Sequence, residues 1–329
     1  GVEVRYSTQG VKLLQDDRGR VCGLRVLGPE GFEDISARAV VLAAGGFEAN
    51  AEMRCRYLGP GWEMVKVRGI PYNTGDGIRM ALEVGAQSHG HWSSCHAVAW
   101  DMNAPPFGDR TITELFQKHS YPFGLIVNLN GERFLDEGFD FRNYTYVTYG
   151  RALLTQPQGL AFQIFDEKVK HLLRDEYWIP QTTMAQANSM EELARRLDID
   201  PQGLAATVKE YNAAVRTDIP YNPTIKDGRC TEGLAVNKTN WAETLDTPPY
   251  YGWAVTTGIS FTFGGVKINN RGQVVTNSQE PIPGLYAAGE MVGGLFYYNY
   301  PGGSGLSAGM VFGRLSGTSA AADAMKLKD

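Results

Sequence analysis

The segment Pro281–Glu290, P-I-P-G-L-Y-A-A-G-E, and the segment Asn299–Arg314, N-Y-P-G-G-S-G-L-S-A-G-M-V-F-G-R, constrain the fold more than any other part of this chain. Leu285, Tyr286, Ala287 and Ala288 form a short apolar run that reads as a buried strand, and Gly289 ends it where backbone must approach something closely. Glu290 then stands at the strand's carboxyl end, where open α/β sheets place their ligands. Gly302, Gly303, Ser304 and Gly305 carry no large side chain, and Ala308, Phe312 and Leu315 follow at helical spacing. The unpaired N–H groups and dipole of such a helix start point at an anion or an electron-rich ring edge. A strand, a small-residue turn with one carboxylate and a glycine-rich helix start together suit a dinucleotide.

Residues 1–46 read as β-strands: V-E-V-R-Y, V-K-L-L-Q, V-C-G-L-R-V and A-V-V-L-A-A-G-G, with hairpin chemistry at Asp17–Arg20 and Gly28–Gly31. Ile78, Ala81 and Leu82 recur at helical spacing before Gly85, a common helix terminator. From about residue 92 the texture changes to aromatics, a G-L-I-V-N-L-N-G-E-R-F hairpin around Asn128–Phe134, helical segments at 190–197 and 201–215, and a Pro/Asn-rich loop at 219–228. The expected organisation is a discontinuous domain, 1–91 with 257–329, interrupted by a second domain at 92–256.

Composition excludes several functions. The net charge is -5 with Lys and Arg dispersed, which argues against nucleic acid as a partner. No apolar run approaches the ~20 residues of a membrane span. Cys22, Cys55, Cys95 and Cys230 are too scattered for a C-x-x-C pair or a zinc site, so no metal or iron–sulfur cluster is expected within the chain.

The two C-terminal segments resemble the signature of the fumarate reductase/succinate dehydrogenase flavoprotein family, G-L-Y-A-A-G-E followed by a G-G helix start. Val40–Phe47, V-V-L-A-A-G-G-F, resembles that family's second flavin-contacting strand and turn, and Asn73–Ala81, N-T-G-D-G-I-R-M-A, its next motif. The resemblance implies an α/β fold: a Rossmann-like FAD-binding domain with an inserted α+β capping domain. It implies FAD as cofactor, held by Ala44, Gly45, Gly46, Thr74, Gly75, Asp76, Gly289, Glu290, Gly303, Ser304, Gly305 and Leu306. No strand, G-x-G-x-x-G and helix unit precedes Val40, so the FAD domain is expected to be incomplete, the chain a fragment, and FAD binding by the chain alone poor. Exposed apolar faces would then favour self-association.

In this family the base is an arginine shortly after G-x-R-F-x-[ND]-E. Here G-E-R-F-L-D-E-G-F-D-F-R-N-Y places Arg142 at that point, with one residue more than the usual spacing. A guanidinium is ordinarily protonated, so base function needs a relay, for which Glu114, Lys118 and His119 are candidates. His96, in H-W-S-S-C-H-A, matches the family's first carboxylate-binding histidine by position. Two departures stand out: Ser260 and Phe261 occupy the place of the second histidine, and Tyr300 stands where the family has a clamp arginine.

Y-N-Y-P-G-G-S-G-L and D-E-G-F-D-F-R-N-Y-T-Y resemble the tricarballylate dehydrogenase group, flavoproteins that oxidise propane-1,2,3-tricarboxylate to cis-aconitate. The aromatic set Tyr297, Tyr298, Tyr300, Phe261 and Phe263 equally suits a 3-ketosteroid dehydrogenase, in which a tyrosine before P-G helps to polarise a ketone. Arg142 and His96 favour a polycarboxylate, with Tyr300 as a further catalytic group; Arg133 and Arg151 add cationic charge. The resemblance further implies a separate iron–sulfur, membrane-associated electron acceptor, and so a cytoplasmic protein held peripherally at the inner membrane face. A third reading is a non-catalytic module unable to hold FAD by itself.

Overall fold

The computed structural model describes residues 1–327. In chain order the strands are β1 (Gln9–Gln15), β2 (Val21–Gly28), β3 (Gly31–Ser36), β4 (Val40–Leu42), β5 (Lys66–Val67), β6 (Ser88–Asp101), β7 (Leu125–Val127), β8 (Leu160–Phe165), β9 (Ala185–Ala187), β10 (Tyr250–Val266), β11 (Gln273–Val275) and β12 (Pro281–Ala287). The helices are α1 (Ala51–Leu58), α2 (Asp76–Glu83), α3 (Arg142–Leu154), α4 (Met190–Arg196), α5 (Pro201–Ala214) and α6 (Ser304–Lys326). The chain divides into two compact units. One comprises Gly1–Glu63, Pro71–His96 and the described residues from Phe261 onward; the other comprises Met64–Ile70 and Ala97–Ser260.

In the first unit, the turns at Asp17–Arg20 and Gly28–Gly31 join β1, β2 and β3 into an antiparallel sheet. A second sheet has the order β11-β12-β4, with β4 parallel to β12. Strands paired in parallel and covered by helix carry apolar residues on both faces, and Leu285, Tyr286 and Ala287 are all buried. Helix α6 packs on β12 and β4. Ser316 Oγ donates to the Ala287 carbonyl at 2.8 Å, and Tyr286 Oη donates to Asp323 Oδ2 at 2.7 Å. Helix α2 buries Ile78, Met80 and Ala81 in the core with Leu42, Phe47 and Leu285.

V-E-V-R-Y is not a strand. It alternates apolar and polar residues, yet no ladder forms on it among the described residues, and Val2 and Val4 are exposed. An alternating pattern makes a strand only where a partner accepts its backbone groups. The run at A-V-V-L-A-A-G-G is strand only over Val40–Leu42, because the chain turns at Ala43 toward the end of α2 that carries Gly75.

In the second unit, β10 is flanked by β5 and β8, β8 also pairs with β7, and β9 pairs with β10. Leu125, Phe162 and Ile164 of this sheet pack against Leu193 of α4 and Leu204 and Val208 of α5. Both helices begin with capping residues: Ser189 Oγ accepts from Glu192 N, and Asp200 accepts from Gln202 N ahead of Pro201. The 128–134 hairpin is a tight turn closed by a single bridge between Val127 and Arg133. Gly131 has φ +75°, and a Cβ there would lie 2.2 Å from Leu204 N. Gly131→Ala combines left-handed strain with a backbone clash and is expected to destabilise by about 2 to 4 kcal/mol. Urea unfolding checks this; an unchanged midpoint contradicts it.

Candidate functional site

The site in the first unit follows from the register of two strands. Leu285, Tyr286 and Ala287 lie opposite Val40, Val41 and Leu42, so the carboxyl ends of β4 and β12 share one edge of the sheet. The turn Ala43–Gly46 leaves from one end and Gly289–Glu290 from the other. Gly46 O accepts a hydrogen bond from Gly75 N at 3.0 Å, which docks the start of α2 on the first turn. A Cβ on Gly77 would meet Ala44 Cβ at 2.7 Å, and one on Gly45 would meet the Asn73 side chain at 2.7 Å. Ala44, Gly45, Gly46, Thr74, Gly75, Asp76, Gly289 and Glu290 are therefore gathered from three separate stretches of sequence. Asp76 Oδ2 accepts from Thr74 Oγ1 at 2.7 Å and from Gln9 Nε2 at 3.2 Å.

Beside this edge lies a cleft of about 1210 Å³, walled by Val40–Ala44, Thr74, Asp76, Gly77 and residues of β1 and β2. Its outer wall, with Gln9, Gly10, Leu24 and Leu27, carries no motif that the sequence reading could recognise.

Behind Gly46, Glu290 is joined by two polar residues that sequence reasoning missed, Thr262 and Glu48. Glu290 Oε1 accepts from Thr262 N at 2.7 Å and from Thr262 Oγ1 at 3.1 Å. Glu48 is buried, and its Oε1 accepts from Asn73 Nδ2. Burial pushes the Glu290 carboxyl well above the usual carboxylate range, and the neighbouring Glu48 pushes it further. Burial raises Glu48 as well, against the hydrogen bonds from its neighbours. A Cβ on Gly46 would lie 2.1 Å from Thr262 Oγ1 and 2.2 Å from Glu290 Oε1. Only glycine lets this turn pass so close to a carboxyl group. The one signal in sequence was a lone threonine inside the apolar run S-F-T-F-G-G-V.

Gly303, Ser304, Gly305 and Leu306 open α6, which also packs against the Gly289–Met291 turn. The helix N-terminus is less free than expected: Gly305 N donates to Tyr300 Oη at 2.8 Å, and Ser304 N donates to Pro301 O at 3.1 Å. Leu306 is 78% exposed. Tyr300 stands in an aromatic group with Phe296 (4.7 Å between ring centroids), Phe261 (5.5 Å) and Phe263 (6.5 Å). His96 is buried at the end of this unit's part of β6, with its ring 4.6 Å from that of Tyr300. Tyr297 and Tyr298 belong to a different cluster, around the His91 ring.

In the second unit Arg142 opens α3, a helix whose N-cap, Phe141, offers no side-chain cap. Arg142 lines a cavity of about 500 Å³ with His119, Ser120, Asn143, Tyr144 and Arg174, and Trp241, Phe123 and Phe141 form its apolar part. Of the three relay candidates, His119 shares this cavity. Glu114 is paired with Arg68, whose Nη1 also donates to Ser260 Oγ at 3.4 Å. Lys118 is wholly buried, 3.7 Å from Asp101, and burial pushes its ammonium down to about 8 against the pull of Asp101. Arg133 is not available to a ligand: it is paired with Glu137 and donates to Val236 O, anchoring the hairpin.

The residues of the first unit fit FAD, the cofactor that the resemblance implies, because the cleft of about 1210 Å³ is walled by Val40–Ala44, Thr74, Asp76 and Gly77 where β4 ends and α2 begins. A family model described as an FAD binding domain matches residues 1–306. Fumarate reductase (cytochrome) of Shewanella frigidimarina is 31% identical over 322 residues, covering 97% of this chain and 52% of that protein. 3-Oxosteroid 1-dehydrogenase of Mycobacterium tuberculosis is 29% identical over 344 residues, covering 96% of this chain and 59% of that protein. Among solved structures, the open conformation of a flavocytochrome c3 fumarate reductase aligns with a TM-score of 0.74 at 30% identity, covering 99% of this chain and 54% of that one. The chain thus spans about half the length of these relatives.

Gly46→Ala forces a methyl group between Thr262 and Glu290. The expected outcome is a loss of about 1 to 3 kcal/mol of stability, read by denaturant unfolding. A variant as stable as the original would show that the turn has room that the geometry denies it.

Proposed function

The chain belongs to the FAD-binding flavoprotein family of fumarate reductases and succinate dehydrogenases, and on that premise we propose that it serves an FAD-dependent oxidoreductase acting on a C–C bond next to a carboxylate. Tricarballylate, oxidised to cis-aconitate, is the proposed substrate. The observation that carries this reading is the cavity at Arg142: two arginines and a histidine line it, and no carboxylate does among its described lining residues. In a chain of net charge -5, such a cavity selects for anions.

When bound, FAD supplies the acceptor for a hydride. Ala44, Gly45, Gly46, Thr74, Gly75, Asp76, Gly289, Glu290, Gly303, Ser304, Gly305 and Leu306 are proposed to hold it. For Arg142 to act as base, its guanidinium first passes a proton to His119, on the wall of the same cavity, and the neutral guanidine then takes the proton from the substrate carbon. His96 and Tyr300, in the first unit, are the other proposed catalytic groups, each offering a hydrogen bond to an oxygen atom. Because Gly305 N–H donates to Tyr300 Oη, the Tyr300 proton is left to point toward a substrate oxygen. Electrons leave through a separate acceptor protein with iron–sulfur centres at the membrane; no helix among the described residues is long and apolar enough to cross a membrane.

A second reading rests on the ring cluster of Phe261, Phe263, Phe296 and Tyr300, which suits the flat apolar body of a 3-ketosteroid. Assay of the protein that carries this chain with tricarballylate and with a 3-ketosteroid separates the two. Arg142→Ala is expected to lower turnover of tricarballylate by about 10² to 10⁴-fold, the usual worth of a positioned proton-transfer group, with the flavin spectrum unchanged. Turnover like the original would remove Arg142 from the mechanism, and turnover of the steroid alone would replace the polycarboxylate reading.

A further inference from the structure

Arg174 lines the same cavity as Arg142 and His119, and no step of the proposed reaction uses it. Two contacts fix its position. Its backbone N donates to Ser120 Oγ at 3.2 Å, which ties this stretch to the residue next to His119. Its Nε donates to Glu176 Oε2 at 3.3 Å, and the Glu176 side chain is only 2% exposed. The same carboxylate accepts from Gln117 Nε2 at 3.2 Å and, through Oε1, from His119 N at 2.7 Å. One buried carboxylate therefore holds both the backbone of His119 and the Nε side of the Arg174 guanidinium. The other end of that guanidinium is uncommitted: Nη1 and Nη2 make no hydrogen bond among the described residues, and the side chain is half-exposed.

A guanidinium anchored at Nε still presents a planar pair of donors, and that fork matches the two oxygens of a carboxylate. Burial of Glu176 gives the anchor a fixed place, so less side-chain freedom is lost when a ligand is gripped. Arg174 also differs in role from the other cationic groups of the cavity. Arg142 and His119 change charge as the proton moves between them, whereas Arg174 takes no part in that transfer and stays positive throughout. Tricarballylate carries two carboxylates on the carbons of the bond to be desaturated and a third on the remaining carboxymethyl arm. That third group asks for a cation outside the proton path, and the cavity of about 500 Å³ has room for the arm.

We propose that Arg174 is a specificity-determining residue whose Nη1–Nη2 fork binds the substrate carboxylate that is not attached to the reacting bond, so that the cavity prefers tricarboxylates to dicarboxylates. The proposal rests on the reading of the Arg142 cavity as the substrate site and adds to it the group that selects among polycarboxylates.

The test uses the protein that carries this chain, with Arg174→Gln and Arg174→Lys. The probes are tricarballylate and methylsuccinate, which keeps both carboxylates of the reacting bond and has hydrogen in place of the third. Calorimetric titration reads the Kd of each probe, and steady-state assay reads kcat and KM. Arg174→Gln is expected to raise Kd and KM for tricarballylate by about 10 to 100-fold, the usual worth of a hydrogen-bonded charged pair, with kcat near that of the original. Its constants for methylsuccinate are expected to stay those of the original, which also shows that the variant is folded. Arg174→Lys keeps the charge without the fork and is expected to fall between the two. An unchanged Kd for tricarballylate in Arg174→Gln, an equal rise for both probes, or no binding of tricarballylate by the original protein would overturn the proposal. If the original protein binds tricarballylate without oxidising it, and Arg174→Gln binds it 10 to 100-fold more weakly, the reaction proposed above fails and the carboxylate clamp stands.

Discussion

The parallel pairing of β4 with β12 is the constraint on which the rest of the first unit depends. Three matched residue pairs, far apart in sequence, set the ends of both strands at one edge. Three of the four segments assigned to the cofactor follow from that edge: the Gly46 turn, the α2 start docked on it, and the Glu290 turn. A slip of one residue would turn Leu285 and Ala287 to the opposite face and empty the core that they form with Ile78, Met80 and Ala81 of α2. The apolar character of the run therefore protects the site as well as the fold.

Around that edge the chain accepts local costs. Glycine at position 46 forgoes a side chain in a tightly packed place, and burial pushes up the carboxyls of Glu48 and Glu290. Structure without function would replace these with packed apolar residues, since buried charge is weak support for a fold.

Much of this was legible in the sequence wherever the rule is local. A-A-G-E after an apolar run, N-T-G-D-G ahead of a helix, and Ser189 and Asp200 as helix caps each express their geometry within a few residues. What depends on distant partners was not legible. Thr262 meets Phe47 and Glu290 only after folding, and nothing near it in sequence announces that contact. The V-E-V-R-Y segment misled for the converse reason: its alternation is correct for a strand, but no neighbour takes up its hydrogen bonds. Arg142 was visible through its motif, whereas Arg174, on the wall of the same cavity, comes from an unremarkable stretch and is placed there by the turn after β8.

The most direct test of the account is a crystal structure of the FAD-bound protein. The account predicts FAD density along the carboxyl ends of β4 and β12, in contact with Gly45, Gly46 and Asp76 and with Glu290 behind the turn. Density for FAD lying elsewhere, with that edge covered by side chains, would contradict it.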